Sequence, residues 1–142
     1  MRTPFPREAL AAAAYRFEQA NGNRIQLAEF DEIMRHQLTR TDPDELAQAI
    51  HKTVTSGEAD ADYRASACFA LGKKMDDDLL AFFRGRLELE VEAEELPVIY
   101  QIMIALDNLD EEIFAPERDG ASSSNEHDLN LRDARAYLER LE

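Results

Sequence analysis

Apolar residues recur at three- and four-residue spacing along most of the 142-residue chain, and that spacing predicts seven helices. The first spans about 6–20, with Leu10, Ala13, Ala14 and Phe17 on one face, and stops at Asn21-Gly22. The second, about 24–38, sets Leu27, Phe30, Met34 and Leu38 together as its apolar face. A third opens at Asp42-Pro43, an N-cap followed by proline at the first helical position, and Glu45 completes a capping-box pattern. Its face is Leu46, Ala49, Ile50, Thr53 and Val54, and Ser56-Gly57 ends it.

A fourth helix, about 62–74, stacks Tyr63, Ala67, Ala70 and Leu71. Asp76 is positioned to cap a fifth, with Leu80, Phe83, Leu87 and Val91 in line. The run 87–94 also alternates with period two, which is a strand signature. Leu, Glu and Ala propensities and the continuing helical face favour helix there. Pro97 opens a sixth helix, about 98–109, apolar nearly all round and so expected at the centre of the domain, with Ile99, Ile102, Met103 and Leu106 most buried. The pattern then breaks into a proline-, glycine- and serine-rich stretch over 115–129, expected to be an exposed loop open to proteases. Asn130 is expected to cap a seventh helix with Leu131, Ala134, Leu138 and Leu141 in one seam. No interdomain linker is marked, so residues 1–142 read as one domain: N-terminal helices or cap (1–58), a repeat region (60–114), the loop, and the last helix (130–142).

The repeat region carries an internal register. Shifted by 35 residues, Tyr63 meets Val98, Ala67 meets Ile102, Ala70-Leu71 meets Ala105-Leu106, and Asp76-Asp77 meets Glu111-Glu112. Periods in this range belong to helix-pair solenoids. The stretch Ala-Cys-Phe-Ala-Leu-Gly-Lys-Lys-Met-Asp-Asp-Asp-Leu-Leu (67–80) resembles the helix end, turn and next helix start of a HEAT-like repeat. Ile104-Ala-Leu-Asp-Asn-Leu-Asp-Glu111 is similar, with Asp107 where the glycine would sit. The resemblance covers about 62–114 and implies an all-α fold, antiparallel helix pairs stacked as a short HEAT-like solenoid of about seven helices. Ala-Leu-Asp-Asn-Leu (105–109), the loop, and Leu-Arg-Asp-Ala-Arg-Ala-Tyr-Leu (131–138) resemble small bacterial immunity proteins of toxin delivery systems. These include contact-dependent inhibition immunity proteins, some with HEAT-like folds.

Composition agrees with helix: Ala, Leu, Glu and Arg make up nearly half of the chain, while valine occurs three times and tryptophan never. One cysteine, Cys68, leaves no disulfide framework and no Cys-based zinc site. It sits in an apolar helix and reads as packed rather than nucleophilic. His36, His51 and His127 have no second histidine or preceding glutamate at metal-ligand spacing, and the five isolated glycines form no phosphate-binding loop. Ser122 to Ser124 lack a nucleophile-elbow context. Catalytic residues, metal ligands and cofactors are therefore expected to be none, and the chain is expected not to be an enzyme.

Charge changes the picture most. The net formal charge is −14, which opposes nucleic acid and anionic membrane as partners and favours a basic protein. Residues 76–112 hold twelve acids against Arg84 and Arg86, a net of −10, whereas residues 1–75 are nearly balanced. Like charges crowded in one segment oppose compaction. They are expected to mark a partner-binding face: Asp76, Asp77 and Asp78 at one turn, Glu88 and Glu92 on one helix, and Asp110, Glu111 and Glu112 at the next turn. The expected function is an immunity-type protein that neutralises a basic toxin, a nuclease being the type example, by a tight complex in the cytoplasm. The alternative is a HEAT-like scaffold or adaptor in a larger complex. The basic N-terminal Met-Arg-Thr-Pro-Phe-Pro-Arg leads into Ala-rich helix rather than an apolar signal core, consistent with a cytoplasmic location.

Overall fold

A computed structural model of the chain describes residues 4–118 and 122–142. Among these described residues seven α-helices follow one another: α1 (Leu10–Ala20), α2 (Leu27–Arg35), α3 (Pro43–Thr55), α4 (Ala61–Gly72), α5 (Leu80–Ala93), α6 (Leu96–Asn108) and α7 (His127–Leu141). Single 3-10 turns lie at Arg7–Ala9, Asp77–Leu79 and Pro116–Arg118, and among the described residues there is no strand. The fold class is all-α, and no helix among the described residues is long and apolar enough to cross a membrane.

Local chemistry sets the boundaries. The Asp42 carboxylate accepts from the Glu45 N–H at 3.2 Å with Pro43 at the first helical position, as the sequence predicts. Asp60 caps α4 by accepting from the Tyr63 N–H at 2.8 Å, and it also binds Arg7 at 2.6 Å, so the start lies one residue before the predicted Asp62. The period-two run is helical: α5 continues through it to Ala93 and ends at Glu94, whose φ is 54°.

Two expectations are corrected. The second helix is shorter than predicted. It ends at Arg35, and the chain turns through Gln37 (φ 60°), so Leu38 reaches the core from the turn rather than from the helix. Ile33 is the fully buried residue of α2, while Leu27 is 78% and Met34 47% exposed. A helix of nine residues flanked chiefly by α1 buries one side chain deeply and leaves the predicted face outside. Asn130 does not cap α7. It lies in the helix's first turn, buried, where its side chain accepts from Arg118 and donates to the Ser123 carbonyl.

The core forms around α6, which packs most extensively on α4 and also on α5 and α7. Ile99, Ile102, Met103 and Leu106 are all fully buried. Helices α1 and α3 also pack on α4, and α5 and α7 pack on each other. The 35-residue register is present in the burial pattern. Tyr63, Ala67, Cys68, Ala70 and Leu71 of α4 and their partners Val98, Ile102, Met103, Ala105 and Leu106 of α6 are all buried. It is present in the backbone too, since Met75 (φ 54°) and Asp110 (φ 65°) occupy equivalent left-handed positions after the two helices.

At the C-terminal ends the two helices touch. A Cβ placed on Gly72 would stand 3.1 Å from the Ala105 Cβ, and Asn108 Nδ2 donates to the Gly72 carbonyl at 3.5 Å. Gly72→Val is expected to lower stability by about 1–3 kcal/mol, because the added carbons force α4 and α6 apart. Urea unfolding checks this, and an unchanged midpoint would show that the contact tolerates a side chain.

Candidate functional site

Both acidic turns leave from the end where α4 and α6 meet, since Ala105 and Asn108 lie against Gly72. In the first turn the Asp76 carboxylate accepts from the Asp78 N–H at 2.9 Å and starts the 3-10 turn into α5. It also takes the Lys74 ammonium at 2.7 Å, which Asp44 shares at 2.8 Å. The Lys74 contact, with the Asp78 N–H, holds the Asp76 carboxyl below the usual carboxylate range. In the second turn Glu111 accepts from the Tyr137 hydroxyl and from Arg84 Nη2 at 2.6 Å, and Arg84 Nε donates to the Tyr137 oxygen at 2.9 Å. The Tyr137 hydrogen bond and then Arg84 lower the Glu111 carboxyl, while burial pushes the Tyr137 hydroxyl up.

The eight expected residues therefore divide. Asp76 and Glu111 are engaged inside the protein and hold the two turns in place. Asp77, Asp78, Asp110 and Glu112 are exposed, and none has an ion pair among the described residues. Glu88 and Glu92 are likewise exposed and lie one helical turn apart on α5. At about 1.5 Å per residue they stand roughly 12 and 18 Å along the axis from the start of α5, so they extend the acidic surface away from the turns rather than joining them.

Glu90, between those two, points inward. Its side chain is 1% exposed and binds Arg64 (2.8 and 3.0 Å) and Arg86 (3.0 Å). The hydrogen bond to Glu90 raises the Arg64 guanidinium further. Beside this triad the Cys68 thiol is fully buried and pushed up to about 12 by burial, which denies it thiolate reactivity. His51 stacks at 4.3 Å on Phe82, and burial lowers its pKa. No group of three or more His, Cys, Asp or Glu side chains placed to hold a metal occurs among the described residues.

A groove that sequence reasoning missed runs beside the second turn, between 107–116 and the α7 residues Asp133, Ala136 and Arg140. Its signal was Pro116, which interrupts the 35-residue register where a second helix would start. The fold and these residues define a helical domain that presents, at one end and along α5, carboxylates with no ion pair among the described residues. Comparison with known proteins finds no matching family model, no matching curated protein and no matching solved structure.

Proposed function

We propose that the chain is an immunity-type binding protein that neutralises a basic toxin in the cytoplasm through a tight protein–protein complex. The supporting observation is that Asp77, Asp78, Glu88, Glu92, Asp110 and Glu112 carry six exposed charges with no ion pair among the described residues, within a segment of net charge −10. A surface kept acidic for solubility would not need one segment to bear most of the charge. A nuclease fits as the partner class, because the cationic surface it uses for phosphate is the surface these carboxylates complement. A stack of HEAT-like helix pairs would present the two turns on one edge, and their departure from one end of the α4–α6 pair supports that arrangement.

The scaffold or adaptor reading stands second. It is favoured by Leu27, Phe30 and Met34, spaced i, i+3 and i+7 on α2 and outside the core, as a second surface remote in sequence from the acids.

Binding kinetics test the first reading, with a basic partner captured on the full chain and then purified. Association is expected to fall steeply as salt rises, and reversing Asp77, Asp78 and Glu112 to Lys is expected to slow it on the order of 10- to 10³-fold. Exposed charges contribute little to folding, so the variant's unfolding midpoint stays near wild type. Equal rates for both proteins, with no salt dependence, would reduce the acidic face to a solvated surface.

A further inference from the structure

The groove beside the second turn is an open cleft of about 640 Å³, within the range of sites that bind small groups. It exists because the repeat is broken there. After the first turn the chain passes directly into α5, and Leu79 and Leu80 pack against the core. At the equivalent positions Phe114 and Ala115 the chain instead runs on to Pro116 and returns as α7, leaving a cleft between turn and helix.

Its chemistry is mixed. Phe114, Ala115 and Ala136 provide apolar lining, Arg140 provides a guanidinium, and Asp110 and Glu112 provide carboxylates with no ion pair among the described residues. The lining already receives guanidinium groups of the protein itself. Arg140 Nη2 donates to the Glu112 carbonyl at 2.6 Å, and the Arg118 guanidinium lies 5.5 Å from the centre of the Phe114 ring. Oxygen acceptors beside an aromatic face suit a planar, forked cation better than an ammonium.

We infer that this groove is the subsite for an arginine side chain of the basic partner, its stem against Phe114 and Ala136 and its guanidinium toward Asp110 and Glu112. The inference rests on the basic-partner reading and narrows it from a charged face to one cleft. Asp77, Asp78, Glu88 and Glu92 then steer the encounter, and the groove fixes its register.

The test is an amide-resolved NMR titration of the full chain at low salt with N-acetyl-arginine amide, against the citrulline amide as its neutral isostere. Arginine is expected to give saturable shifts confined to 110–115 and 136–140, and citrulline is not. Asp110→Asn/Glu112→Gln, two exposed changes that leave the core untouched, should weaken arginine binding by about tenfold or more. Shifts spread equally over 76–78 and 88–92, no shift at the groove, or wild-type affinity in the double variant would overturn the inference. A nona-arginine peptide separates the two levels. If it binds wild type and the double variant alike at low salt, the groove is lost and the acidic face stands. If it binds neither, both fall.

Discussion

Glu90→Ala is expected to cost about 3–5 kcal/mol of unfolding free energy, the usual penalty for breaking a buried ion pair from one side. The carboxylate receives three hydrogen bonds, two from Arg64 and one from Arg86, and both guanidiniums are themselves largely covered. Removing it leaves two positive charges facing one another at the α4–α5 boundary with no acceptor in water's place. Arg64 keeps its hydrogen bond to the Ala59 carbonyl at 2.8 Å, so α4 is not expected to unravel; the loss lies in the electrostatics of the contact. Urea unfolding followed by helical circular dichroism reads the change. Replacing all three residues by apolar ones of similar length should recover most of the loss, because burying a triad gains little over well-packed hydrophobics. A midpoint for Glu90→Ala within error of wild type would show that Arg64 and Arg86 find water instead.

The same position shows how far sequence carries. Along Leu87 to Glu92 residue type alone would place Leu89 inside and Glu90 outside, yet Leu89 is 53% exposed and Glu90 is buried. Helical spacing decides: Phe83, Leu87, Glu90 and Val91 share the inward face, and Leu89 falls on the opposite one. The helix was legible because its period continued from Leu80; the buried carboxylate was not, because its cations come from Arg64, 26 residues earlier, and from Arg86. Similarly, the α6 core was legible from an uninterrupted apolar pattern, whereas the α2 face was not: Leu27, Phe30 and Met34 all lie within the helix, but Ile33 is the residue covered, and which side a neighbour covers is a tertiary matter that periodicity does not encode. At the acidic turns the sequence identified the charges but not which were engaged. Nothing local links Glu111 to Tyr137, which approaches from a helix 26 residues away.

Arg118→Ala is expected to destabilise the protein by about 3–5 kcal/mol and to open the segment before α7 to proteolysis. The sequence reads 115–129 as a loop free to move, and residues 119–121 of it lie outside the described residues. Its flanks are tied down. Arg118 is 5% exposed and donates to Asp133 at 2.6 Å, to Asn130 at 2.7 Å and to Glu126 at 3.3 Å. Asn130 Nδ2 holds the Ser123 carbonyl at 3.0 Å from the other side. Burial alone would raise the Asp133 carboxyl, but the Ala115 N–H, Arg118 and Arg132 together bring it below its usual range. A depressed carboxyl adds stability that is fully present above its unfolded pKa and is lost as pH falls through the folded one. The wild-type protein should therefore lose stability on acidification below the ordinary carboxylate range, and Arg118→Ala should lose part of that acid dependence along with its stability at neutral pH. Because cleavage tracks the open population when reclosing is fast, a local loss of about 3 kcal/mol should speed cutting between 115 and 126 on the order of 100-fold. Limited proteolysis with fragment mapping, run beside thermal melts from neutral to acid pH, measures both effects. An unchanged melting temperature together with an unchanged cleavage rate would mean that Arg118 is held by the fold around it and does not hold the loop.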